Sequence, residues 1–127
     1  MMGAIYCLVI AFAAQPPPGW RVATFEVTAY CPCPRCCGRY ADGITASGVP
    51  ARGRLVAAPP EYPFGTEVVV PGYGRARVAD RGSAIQSAGR LADGRRLRYS
   101  RLDVLMPTHR EAQKWGRRVL RVLVRES

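Results

Sequence analysis

The strongest constraint on this chain is a run of short segments with a two-residue period, each fenced by proline or glycine. In residues 22–29, Ala23, Phe25, Val27 and Ala29 alternate with Thr24, Glu26 and Thr28, the pattern of a half-buried strand. Residues 55–58, 67–70, 75–79 and 119–124 are further short candidates, with turns at Pro59 and Pro60, at Phe64 and Gly65, and at Pro71 and Gly72. Strands this short and this closely spaced predict a mainly β fold, a small barrel. One segment departs from the pattern. Thr108 stands three residues before Glu111, as in a capping box, and Gly116 follows where a helix would stop. The spacing predicts one short helix over 109–115. Residues 87–100, with Gly89, Asp93 and Gly94 among arginines, have no period and read as a solvated loop.

The chain has 127 residues, room for one domain. Residues 1–14 are apolar and end in small residues, which reads as a secretory signal peptide and places the mature protein in the cell wall, periplasm or medium. Residues 15–21, rich in proline, read as a stiff linker, because proline fixes its own backbone and disfavours helix before it. The folded domain is then 22–127. The net charge is +10, carried almost wholly by arginine, with Lys114 the sole lysine. Such a surface attracts polyanions, including the anionic polymers of an envelope. The arginines are scattered from Arg21 to Arg125 rather than interleaved with stacking aromatics on one face. That pattern, with the leader, argues against a nucleic-acid partner.

Four cysteines, Cys31, Cys33, Cys36 and Cys37, fall within seven residues. Loss of a leader would also remove Cys7, leaving an even number, which in an exported domain favours disulfides. The same run is dense enough to wrap four thiolates around one zinc ion. Free structural thiols are the remaining alternative; the disulfide and metal readings both pin the loop after Tyr30 to the barrel. Neither makes a cysteine catalytic: His109, the sole histidine, sits where a surface residue of a capping turn is expected.

Several ordered strings together resemble the three-aspartate (3D) domain family: VTAY at 27–30, ITASG at 44–48, VADRGSAI at 78–85, RLDV at 101–104, and PTHREA with WGRR at 107–112 and 115–118. The resemblance covers roughly residues 25–124. It implies a double-psi β-barrel and kinship with the catalytic domain of membrane-bound lytic transglycosylase A and with stationary-phase survival and resuscitation-promoting wall enzymes. It also implies a substrate, the glycan strands of peptidoglycan, and an enzyme that works as a monomer without a required cofactor. Asp80 matches the second aspartate of the pattern and Asp103 the third, but the first falls on Ala58. Glu61, three residues on, is the nearest carboxylate that could stand in. The segment between Ile85 and Asp103 is also longer than the family pattern, which predicts a reshaped wall of the cleft.

Hydrolysis of a glycosidic bond ordinarily uses two carboxyls, one as acid and one as nucleophile or base. A lytic transglycosylase manages with one, which protonates the leaving oxygen and then takes the proton of the sugar's own C6 hydroxyl. Asp103, flanked by Leu102, Val104 and Leu105, is the candidate acid and base, because apolar surroundings raise a carboxyl's pKa. Asp80, beside Arg81, Gly82 and Ser83, is expected to stay ionised and to orient substrate or stabilise positive charge on the sugar. Tyr30, Thr45, Ser47 and Gly82 are the candidate substrate-binding positions, since a glycan cleft needs hydroxyls and exposed ring faces. Trp115 is expected to be a core anchor. The rival reading is a non-catalytic module that binds wall glycan and has lost turnover with its first aspartate.

Overall fold

Phe25 and Val27, placed on one face of the first segment by the alternation, are fully buried. They belong to β1 (Trp20–Tyr30) of a computed structural model that describes residues 15–37 and 42–126. The leader reading on residues 1–14, with Cys7, lies outside the described residues. The elements that follow are α1 (Pro34–Cys37), β2 (Leu55–Ala57), β3 (Glu67–Val70), β4 (Gly74–Asp80), β5 (Gly89–Arg90), β6 (Arg96–Leu97), β7 (Ser100–Leu105), α2 (His109–Trp115) and β8 (Arg118–Arg125).

Six strands close into a barrel in the order β1-β7-β2-β4-β3-β8. The pairings β1 with β7 and β2 with β4 are parallel; the others in the ring are antiparallel. The expected mainly β barrel with a short helix near the C-terminus is therefore what the chain forms. Its interior is filled by one alternating face of each strand: Phe25 and Val27, Val56, Val68 and Val70, Ala76 and Val78, Leu102 and Val104, Val122 and Val124. Burying a valine or leucine side chain contributes roughly 1.5–3 kcal/mol, so these positions dominate the stability of a domain this small.

The helix occupies the predicted residues. Thr108 caps it with extended backbone, its Oγ1 accepting from Glu111 N at 3.2 Å, and Gly116 ends it at a φ of 69°, where a side chain would be strained. Trp115 is the anchor expected of it. Its indole donates to Val27 O at 3.2 Å and meets Tyr73 edge-on at 6.2 Å.

Three features differ from the sequence reading. β1 begins at Trp20, where Trp20 pairs with Arg125 and Arg21 with Val124, because β8 offers a full-length antiparallel partner. Residues 100–105, absent from the candidate strands, form β7, in which Leu102 and Val104 are buried and Asp103 stands between them on the other face. The presumed loop 87–100 contains the hairpin β5–β6, turned at Asp93, whose carboxylate accepts from Arg95 N at 3.0 Å. Two-residue strands are too short to show any period.

Candidate functional site

The site arises from the irregular end of β2. The register shifts between Val56 and Ala57, so that Ala57 stands opposite both Asp80 at the end of β4 and Asp103 in β7. A bulge of this kind re-aims side chains. Here it brings the two aspartates, 23 residues apart in the chain, to the wall of one cleft of about 650 Å³. That volume lies within the roughly 300–1,000 Å³ usual for small-molecule sites.

The two carboxyls have different surroundings. Asp80 accepts three hydrogen bonds: from Tyr30 Oη at 2.8 Å, from Ala46 N at 3.0 Å and from Arg81 N at 2.9 Å. Asp103 is half-buried and accepts a side-chain bond from Thr28 Oγ1 at 2.9 Å. Burial pushes its carboxyl up to about 6; the Thr28 hydroxyl opposes the rise and the negative charge of Asp80 adds to it. The parallel register of β1 and β7 places Thr28 directly opposite Asp103. Tyr30 is held protonated, its pKa raised by burial first and then by Asp80, so that it serves as a donor.

Tyr30, Thr45 and Gly82 line the cleft, with Ile44, Ala46, Arg81 and Ser83. Thr45 has less freedom than the sequence suggested. It is buried, its hydroxyl donates to Val49 O at 2.9 Å, and Ser47 lies 3.0 Å from it, so its one proton is used within the turn. Ser47 is not among the lining residues; its amide donates to Ala79 O at 3.0 Å and fixes the 44–50 turn to β4. Arg81 directs its guanidinium to the carbonyls of Tyr62 at 2.8 Å, Asp80 at 3.2 Å and Ala58 at 3.4 Å, and stacks over Phe64 at 4.2 Å. The side chain thus braces the turn that follows β2.

Ala58, the position to which the resemblance assigns a first aspartate, is fully buried in the core. Glu61 does not replace it: the side chain is exposed, bonds the Ser87 hydroxyl and lines a separate hollow with Arg21 and Tyr62. The hairpin β5–β6 contributes no lining residue to the cleft.

The cysteines divide. Cys31 Sγ lies 2.8 Å from Cys33 Sγ and 3.0 Å from Cys36 Sγ, and His109 Nδ1 approaches all three at 3.9, 3.9 and 3.4 Å. These four donor atoms lie within 4.8 Å of one another and could hold a metal ion. Cys37 stands apart from the four, donating to Cys31 O at 3.3 Å and lining the cleft with Cys36 and Pro32. No disulfide joins these sulfurs among the described residues. Burial pushes the Cys31 thiol up to about 12 and raises that of Cys37, so neither is an activated nucleophile. Sequence reasoning missed Thr28 and His109. The β1–β7 register brings the first to Asp103, and only the docking of α2 beside the cysteine loop brings the second to the thiols.

No family model matches the chain. It is similar to the Putative cell wall shaping protein YabE of Bacillus subtilis (strain 168), with 30% identity over 105 residues, 82% of this chain and 23% of that protein. It is also similar to the Cell wall-binding protein YocH of Bacillus subtilis (strain 168), with 31% identity over 88 residues, 65% of this chain and 26% of that protein. The chain thus spans about a quarter of the length of the curated relatives it matches.

Proposed function

We propose that this domain is a peptidoglycan lytic transglycosylase of the 3D type, exported and acting as a monomer on the glycan strands of the wall. The observation that carries the reading is the pairing, in one cleft, of a carboxyl raised to about 6 with a carboxylate held by three donors. Such a separation of environments divides an acid from an anion. The two cell-wall relatives point to the same material.

Asp103 gives its proton to the glycosidic oxygen between N-acetylmuramic acid and N-acetylglucosamine as the bond to C1 breaks. Asp80, ionised, stabilises the positive charge that develops on the sugar ring. Asp103, now a carboxylate, takes the proton of the C6 hydroxyl as that oxygen bonds to C1 and closes the 1,6-anhydro ring. The carboxyl is thereby restored, and the scheme calls for no cofactor. The arginine-rich surface supplies the attraction to anionic envelope polymers.

The test is Asp103→Asn. The amide keeps the shape and much of the hydrogen bonding but shuttles no proton, so release of soluble fragments from purified peptidoglycan falls roughly 10²- to 10⁴-fold while sedimentation with the wall is unchanged. Asp80→Asn, with an orienting role, gives a smaller loss. Full release by Asp103→Asn contradicts the mechanism. One second reading has support of its own: Ala58 at the first-aspartate position and similarity to a wall-binding protein fit a module that binds glycan without cleaving it. Tight binding with no product from several wall preparations would establish it.

A further inference from the structure

We propose that Cys31, Cys33, Cys36 and His109 form a tetrahedral zinc site that clips the start of α2 to the loop after β1, with Cys37 outside it. The site is independent of the glycan-cleaving reading.

Three observations carry it. The first is convergence: three sulfurs from one six-residue segment and an imidazole 73 residues beyond meet with their donor atoms inside 4.8 Å. A disulfide would use two of these sulfurs and leave the third, with the ring, gathered at the same point for no reason. The second is ligand chemistry. Three thiolates and one imidazole are a recurrent structural zinc set, and the two residues between Cys33 and Cys36 are a usual ligand spacing. The tight turn that spaces them is built by Cys36 N and Cys37 N, both donating to Cys33 O at 3.1 and 2.9 Å.

The third is distance. Zn–S bonds of about 2.3 Å require S···S edges of ~3.8 Å in a tetrahedron. His109 Nδ1 at 3.4–3.9 Å from the sulfurs already matches such an edge. The sulfur pairs at 2.8 and 3.0 Å need only a small outward rotation about Cα–Cβ. Cys37 does not compete, because its thiol bonds the Cys31 carbonyl and its wall faces the cleft.

The consequence reaches the cleft. Pro32, Cys36 and Cys37 form part of its wall, and Tyr30, which donates to Asp80, directly precedes Cys31. The ion would fix that wall to α2, which the Trp115 indole anchors to β1. His109 is thus assigned a role beyond helix initiation, and the four-cysteine ligand set is replaced by three cysteines and a histidine.

The experiment uses the full chain produced with zinc present and measures bound metal by mass spectrometry, with cobalt substitution as a second probe. One zinc per chain is expected, and the cobalt form should show the visible absorption of a tetrahedral thiolate site. Cys37→Ser should retain both signals. His109→Ala and Cys36→Ser should lose stoichiometric metal, and a chelator should lower the melting temperature of the native chain but not of His109→Ala. Alkylation mapped by peptide mass should reach Cys31, Cys33 and Cys36 only after chelation. Should a variant fail to fold, that mapping on the native chain still decides. Metal-free native protein, a disulfide among Cys31, Cys33 and Cys36, or loss of zinc in Cys37→Ser with retention in His109→Ala would each overturn the assignment.

Discussion

Asp103 owes its raised pKa to burial opposed by one hydroxyl, and this gives two consequences that can be measured apart. In the proposed mechanism its acid form protonates the leaving oxygen, so turnover should fall as pH rises through about 6. The Thr28 bond favours the carboxylate, so Thr28→Val should move that midpoint upward while leaving a folded protein. An unmoved midpoint would mean that another group titrates. Stability follows the same sign. A carboxyl whose folded pKa lies above its unfolded value contributes stability that is full below the unfolded pKa, near 4, and is lost as pH rises through about 6. Asp103→Asn should therefore be more stable than the native chain at pH 7, by at most about 3 kcal/mol, and equal to it below pH 4. Denaturant unfolding at the two pH values checks this.

At the scale of elements, local chemistry is legible in the sequence and strand pairing is not. The helix was legible because its signals are sequential: Thr108 three residues before Glu111, then Gly116. Removing the cap hydroxyl in Thr108→Ala should cost about 1 kcal/mol, and because α2 carries His109, it should also weaken metal retention. A melting curve with a parallel metal assay tests both. β7 lies outside the segments predicted as strands although it carries the same alternation, Leu102 and Val104 buried with Asp103 between them facing away from the core; its partners β1 and β2 hold the backbone on either side. The hairpin β5–β6 is set by its turn and leaves no periodic trace. His109 was misjudged for a related reason. Sequence shows it at a helix start, but its nearness to Cys36 depends on how α2 docks beside the loop after β1.

At the scale of the molecule, closure of the ring is what unites residues distant in sequence. The core was partly legible: Phe25 and Val27 fall on the apolar face that the alternation in 22–29 predicts, and Val68, Val70, Val122 and Val124 lie in segments predicted as strands. Phe25→Ala, at a fully buried site, should cost about 3–5 kcal/mol, whereas Val119→Thr, at a site 53% exposed, should change stability by no more than about 0.5 kcal/mol. Equilibrium unfolding separates the two. The strand order was not legible. It requires two parallel pairings and a shifted register at Ala57, and these create the cleft. In the function proposed above, this cleft cleaves glycan with the sugar's own hydroxyl in place of water. The most direct test is mass spectrometry of fragments released when purified peptidoglycan is incubated with the native protein. Fragments ending in 1,6-anhydro-N-acetylmuramic acid, lighter by one water than hydrolysis products and absent with Asp103→Asn, are the predicted result. Fragments with ordinary reducing ends would show that a carboxylate activates water and would contradict it.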